Sequence, residues 1–398
     1  MSKHLIAVYG GTFDPATYGH LQTIRKACSI FDKLYVVVAT GEGKRPMFSL
    51  EERKAMLLDT IPEDFWRNDC QDPQVEVLTL PDGVYLATFA EKMGAKFLVR
   101  GLRDAFDFHY ESQIYHTNRK ITENVETIYL MPDDAMKMVS SSWVKGLVGH
   151  YSWRKIVRQF ASPETLNKLA LHYAKARFFE ACKEPLLGMD CNVKWVPERF
   201  WNQYVMENFH NKNAYHNVFH ILDCLEALDY YAPQKDKIME FAFWLHDLMS
   251  EPDDCVRVAQ DLVPSMIQYS EALNKVIRLI KATKHTENLT GKLENEDEQI
   301  FASIDLLPLG YSNGHFRTNL DNLYQEYRDN VFEEYLSKSG KSEAEFSANW
   351  AKGRINFMKT MLARDYIFPW EHIRNLHESQ ARTNLSTEQK DLESLVGG

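Results

Sequence analysis

The chain contains no apolar run approaching the roughly 20 residues needed to span a bilayer, so no segment reads as a membrane helix. Its opening residues, MSKHLIAVYGGTFDP, lack the apolar stretch and small-residue cleavage site of a secretory leader. Cysteines are few and scattered. Cys28, Cys70, Cys182, Cys191, Cys224 and Cys255 form no Cys-x-x-Cys pair, which argues against a disulfide framework or a thiolate zinc site and suits reduced thiols in a cytoplasmic protein. A long Lys/Arg block is also missing. With 46 basic and 56 acidic residues the formal net charge is −10, and an acidic chain is repelled by nucleic-acid phosphates. The expectation is a cytoplasmic protein with neither membrane nor nucleic acid as a partner. Internal repeats and low-complexity segments are absent as well.

What is present is ample material for more than one core. At 398 residues the chain suffices for two or three domains of roughly 100–200 residues each. Over the first 160 residues apolar strand patterns alternate with helical ones: LIAVYG (5–10), KLYVVVAT (33–40), QVEVLTL (74–80), KFLVRG (96–101) and TIYLMP (127–132), with helical segments between them. That alternation predicts crossover units and a parallel α/β sheet, whose ligands bind beyond the carboxyl ends of its strands. From about residue 165 the strand pattern gives way to helical periodicity, over 198–210, 215–230, 236–249, 253–263, 270–284, 297–306, 319–337, 343–364 and 370–394. The expected organisation is a Rossmann-like α/β domain over 1–172 and an all-α domain over 173–398. No Gly/Pro-rich linker separates them, and SPETLNKLALHYAKARFFEA reads as continuous helix across the boundary.

The loops after the strands carry the first set of motifs. Residues 8–20 read VYGGTFDPATYGH. Gly10 and Gly11 would let a phosphate approach the backbone, and Gly19–His20 opens a helix whose N-terminus favours anions. GEGK (41–44) is no P-loop, since the full Gly spacing and the following Ser/Thr are missing. KRPMFSLEER (44–53), RGLRDAFDFHYESQ (100–113) and VSSSWVK (139–145) follow later strands. Taken singly, Thr17 and Ser140–Ser142 could be helix caps and Arg100 and Arg103 surface charges. In this order, the Thr-x-Gly-His tetrapeptide, RGLR and SSSxVK resemble phosphopantetheine adenylyltransferase, of the nucleotidyltransferase superfamily, over residues 4 to about 172.

The resemblance implies transfer of AMP from ATP, with Mg2+, to 4′-phosphopantetheine. It implies that His20 stabilises charge at the bridging oxygens and that Thr12, Lys44 and Arg100 hold the acceptor. Gly11, Phe13 and Thr17 would shape the phosphate turn. Gly101, Leu102, Arg103 and Glu111 would contact the nucleotide, and Ser140, Ser141 and Ser142 the triphosphate. Some positions depart from the family: Gly10–Gly11–Thr12–Phe13 replaces Pro-Gly-Thr-Phe, VYLATFA (84–90) places Leu86 at the acceptor contact, and Met136 stands where an aromatic is common. These departures bear on the acceptor more than on adenylyl transfer, so another phosphorylated acceptor stays open.

The helical half carries a second constellation. AYHNVFHIL (214–222) spaces His216 and His220 four apart, a spacing that puts both on one helix face; Asn217 stands where a zincin has Glu. FAFWLHDL (241–248) ends an apolar helix on His246–Asp247, TKH carries His285, and SIDLLPLG (303–310) places Asp305 in an apolar setting. A carboxylate buried there needs a cationic partner. The series resembles the HD metal-dependent phosphohydrolases, and GRINFM (353–358) with ESQARTNLSTE (378–388) resembles the tail of a group of predicted HD phosphohydrolases. By that resemblance His220, His246, Asp247 and Asp305 ligate a divalent metal: Mn, Fe, Zn, Ni or Mg all suit mixed His/Asp ligation. His216 would be a proton donor and His285 would touch a second metal or the phosphate. Asp253 and Asp254 stand where that group more often has Asn-Glu after His-Asp. The leading expectation is a bifunctional enzyme. The alternative is a helical half that senses a ligand or assembles the protein, and a second copy of the chain stays open as a partner.

Overall fold

The computed structural model describes residues 5–40, 45–62, 74–103, 105–183, 195–249, 252–262, 270–285, 287, 292–293, 295–339 and 342–396. The chain forms two compact units, Met1–Tyr173 and Ala174–Gly398.

The first unit is built on a parallel sheet of β1 (Ile6–Gly11), β2 (Lys33–Val38), β3 (Gln74–Thr79), β4 (Phe97–Gly101) and β5 (Glu126–Leu130), in the order β3-β2-β1-β4-β5. The register sets Val8 beside Tyr35 on one side and Leu98 on the other. β1 and β2 read as unbroken apolar runs because helices cover both faces; Ala7, Val8, Leu34, Val36, Val37 and Val38 are fully buried. Helix Tyr18–Cys28 turns Leu21, Ile24, Ala27 and Cys28 inward at helical spacing. Helix Leu50–Thr60 starts on a reciprocal cap between Ser49 and Glu52. The chain proceeds from β1 outward through β2 to β3, then returns to the other side of β1 for β4. That reversal of direction leaves a crevice at the carboxyl ends of β1 and β4, where the loops beginning at Thr12 and Leu102 lie.

The second unit is helical throughout its described residues. Its centre is helix Lys237–Leu245, in which Met239 to Leu245 are all buried. Trp244 meets Phe178 and Trp201 edge-on, and Phe243 stacks on Phe301 with centroids 4.0 Å apart. Trp201–His210 is a π-helix rather than the α-helix its periodicity predicts, and it buries Trp201, Val205 and Phe209. No helix among the described residues is long and apolar enough to cross a membrane.

Candidate functional sites

In the first unit the turn after β1 is tight and filled from within the chain. A Cβ on Gly10 would meet the Leu86 side chain at 2.3 Å, and one on Gly11 the Phe13 ring at 3.0 Å. Gly10 faces the flexible end of Leu86 and Gly11 abuts the Phe13 ring, so the turn packs closely where no Cβ stands. Phe13 itself is buried at a positive φ of 47°, a conformation that costs a non-glycine residue energy. Its ring meets His20 edge-on.

Thr17 caps helix Tyr18–Cys28, and His20 closes the cap. The His20 Nδ1 accepts from the Thr17 amide at 3.0 Å and lies 2.9 Å from its hydroxyl. An accepting Nδ1 leaves the neutral ring's proton on Nε2. Burial, and then the charge of Arg103, lower the His20 pKa to about 4. His20 is thus a neutral donor with a fixed tautomer near pH 7.

Arg100 lies one residue before the end of β4. Its Nε and Nη2 make a fork to both oxygens of Glu111 at 2.7 and 2.6 Å, and Nη1 donates to the Gly10 carbonyl at 2.9 Å. Arg103 forms a second fork, to Asp107, at 2.8 and 3.1 Å. Leu102 donates its amide to Leu130, extending the β4–β5 pairing past Gly101. Ser140 caps helix Ser141–Leu147 by accepting from the Trp143 amide, Ser141 donates to the Pro15 carbonyl, and Ser142 is exposed. Lys44 lies outside the described residues.

Three residues hold these loops together and were not singled out by sequence reasoning. Asp14 accepts from the amides of Met47 and Phe48 and from Lys145 at 2.8 Å. Burial alone would raise its pKa, but Lys145 and the two amides carry it below the ordinary carboxylate range. Arg53, 1% exposed, donates to the carbonyls of Phe48, Ser49, Thr12 and Ala39. Asp14 and Lys145 sit inside quoted motifs, and Arg53 ends one, yet only the folded chain pairs them across 131 and 41 residues of separation.

In the second unit, His220, His246, Asp247 and Asp305 each bring one ligand atom to within 4.8 Å of all the others. The Nε2 atoms of His220 and His246 lie 3.3 and 3.1 Å from Asp247 Oδ2, and 3.4 and 3.3 Å from Asp305 Oδ1. His246 is held from behind, its Nδ1 2.9 Å from the Phe243 carbonyl. Asp247 Oδ2 is buried without a hydrogen-bond partner. His285 joins the cluster through Asp305 Oδ2 at 2.8 Å. Burial would lower the His246 pKa; the charges of Asp247 and Asp305 raise it well above the ordinary histidine range. Asp253 and Asp254 turn instead to Lys284 and Arg257.

His216 departs from expectation. Helix Val218–Tyr231 begins after it, because the Asn217 side chain accepts from the Phe219 amide and caps the helix there. His216 therefore does not share a helix face with His220. A residue from helix Asn313–Ser339 places it: Glu326 accepts from the backbone amides of Tyr215 and His216, both at 2.8 Å, and meets His216 Nδ1 at 2.7 Å. The His216 and His220 rings end 5.9 Å apart. Glu326 follows its partner by 110 residues, and no local signal in the sequence marks it.

Residues 8–146 match the cytidylyltransferase-like family model. The phosphopantetheine adenylyltransferase of Chromobacterium violaceum is 34% identical over 169 residues, which are 42% of this chain and 98% of that protein. That of Wolinella succinogenes is 43% identical over 147 residues, 37% of this chain and 85% of that protein. A crystal structure of yeast caPDE2 in complex with IBMX aligns with 99% of this chain and 97% of its own at 12% identity, with a TM-score of 0.36, too low to establish a shared fold.

Proposed function

We propose, from the premise that the chain belongs to the phosphopantetheine adenylyltransferase family through its first unit, that this unit transfers AMP from ATP to 4′-phosphopantetheine, giving dephospho-coenzyme A and pyrophosphate. The homology supports adenylyltransferase activity; the acceptor is our reading. The observation that carries it is the neutral, tautomer-fixed His20 at the start of a helix, within the field of Arg103. Attack of a phosphate oxygen on the α-phosphate needs alignment and charge stabilisation rather than a covalent intermediate. His20 Nε2–H is a donor for the oxygen on which charge develops. Arg100 keeps a geometry set by Glu111 and the Gly10 carbonyl and binds the acceptor phosphate, with Thr12 and Lys44. Arg103 and the amides near Gly101 and Leu102 meet the nucleotide, and Ser140–Ser142 its triphosphate, which arrives with Mg2+. Phe13 and Leu86 fill the floor, and Gly11 and Thr17 set the turn. The test is pyrophosphate release by the purified chain with ATP, Mg2+ and 4′-phosphopantetheine. Turnover with another phosphorylated acceptor, and none with this one, would overturn the acceptor.

We infer further that the second unit is a metal-dependent phosphohydrolase. Ligands sharing one cation at bond lengths near 2.1 Å stand about 3.0–3.4 Å apart, the range spanned by the His–Asp separations above. The orphaned Asp247 Oδ2 and the lack of any described Lys or Arg bonded to Asp247 or Asp305 fit a cation held by His220, His246, Asp247 and Asp305. Mixed imidazole and carboxylate donors suit Mn, Fe, Zn or Ni. Such an ion supplies Lewis acidity toward a phosphate ester. The chain's own contribution is the Glu326–His216 pair: with Nδ1 fixed on the carboxylate, Nε2 can hand a proton to the leaving oxygen. His285 orients Asp305. Elemental analysis of protein purified without chelator, with phosphate release after Mn addition, is the test; absence of both overturns this reading.

A further inference from the structure

Beside the histidine–aspartate cluster lies a cavity of about 130 Å³, with His220, Tyr215 and Asp223 among its walls. Helix Asn313–Ser339 contributes Asn319 and Asn322 to the lining, three apart and so on one helix face. Neither amide has a hydrogen-bond partner among the described residues. The cavity is close in size to one of roughly 150 Å³ that holds a single benzene, so it has room for one sugar-sized ring. Its walls are not apolar. An amide both donates and accepts, and a carboxylate grips a sugar hydroxyl in dinucleotide folds. An acyl chain or an apolar ring would strand both amides unpaired, at a cost that works against binding.

We propose that the second unit's site takes a phosphate monoester of a sugar ring bearing vicinal hydroxyls. Asn319, Asn322 and Asp223 hold the ring, while the phosphate lies toward His220. This rests on the phosphohydrolase reading of that cluster. A free pentose phosphate and the ribose of a nucleotide share this chemistry; in a nucleotide the base would stay outside the cavity.

The test uses the full chain with Mn and four probes: ribose 5-phosphate, AMP, 2-deoxyribose 5-phosphate and p-nitrophenyl phosphate. Ribose 5-phosphate should exceed its 2-deoxy analogue in kcat/KM by at least about tenfold, the scale of a lost hydroxyl contact. Activity on AMP comparable with ribose 5-phosphate would assign the nucleotide source, and its absence the free sugar. Asn319→Leu with Asn322→Leu should raise KM for ribose 5-phosphate about tenfold with the bound metal retained. Equal rates on the deoxy analogue, or an unchanged KM for ribose 5-phosphate in the double variant, would overturn the proposal. Saturation-transfer NMR of ribose 5-phosphate with the wild type and the double variant separates the two readings. Binding lost in the variant, with no hydrolysis of any probe, sustains the ring site and removes the hydrolase. Hydrolysis of p-nitrophenyl phosphate with no binding or turnover of ribose 5-phosphate does the reverse. Neither binding nor hydrolysis removes both.

Discussion

The two sites handle buried charge in opposite ways. In the first, the charges that hold the site's loops meet protein partners: Asp14 has Lys145 and two amides, Arg100 has Glu111, and Arg53 has four carbonyls. In the second, Asp247 and Asp305 face imidazoles, and Asp247 Oδ2, though 3.1 and 3.3 Å from two of them, makes no hydrogen bond. Removing a carboxylate from water costs several kcal/mol unless a countercharge repays it. A site complete in its own charges is preorganised for substrates that come and go. One with unrepaid carboxylates is shaped around a cation that resides there.

That contrast can be broken most sharply at Asp247. Asp247→Asn should take the bound transition metal, read by elemental analysis, and Mn-dependent phosphate release to background, with adenylyl transfer held within about twofold of wild type if the sites are independent. Loss of both activities in a folded variant would end the contrast between independent sites.

Next in size, His20→Ala should lower kcat for adenylyl transfer by at least about a hundredfold, the scale of one lost charge-stabilising donor, and leave metal content unchanged. Since the His20 pKa is lowered to about 4, NMR titration should find the ring neutral at pH 6 and protonating near pH 4. The sign follows: any stability from keeping His20 neutral is complete above the ordinary histidine pKa of about 6.5 and is lost as pH falls toward 4. A midpoint near 6.5 would contradict the neutral-donor role.

A smaller effect is expected at Glu326. Glu326→Gln should lower phosphate release about tenfold with metal retained, the scale of a mispositioned proton donor, and shift the acidic or basic limb of its pH profile. An unchanged profile would reduce Glu326 to a structural tether. Smallest in its effect on chemistry is Arg53→Met. It should destabilise the first unit by about 2–3 kcal/mol, since four buried carbonyls lose their donor, read as a lower denaturant midpoint. The second unit's transition should not move.

Much of the fold was legible because its signals are local. Strand and helix periods appear within ten or so residues, so β1–β5 and the change to an all-helical pattern could be placed to within a few residues. Where a side chain intervened, local reading failed: Asn217 caps its helix and leaves His216 outside it, although the four-residue spacing predicts one shared face. The π-helix at Trp201–His210 shows the same limit, since burial of Trp201, Val205 and Phe209 is compatible with either winding.

The sequence by itself determined the elements, the ordered motifs of the first unit and the residue types of the histidine–aspartate set, since each is written in neighbouring residues. Tertiary structure alone decided which charges meet. Asp305 reaches His246 across 59 residues, Glu326 reaches His216 across 110, and Lys145 reaches Asp14 across 131. Those distances are closed by packing of apolar faces, which fixes where each element lies but leaves no mark beside the polar residue it carries. The neutrality of His20 and the unpaired oxygen of Asp247 follow from that burial, and with them the difference between the two sites.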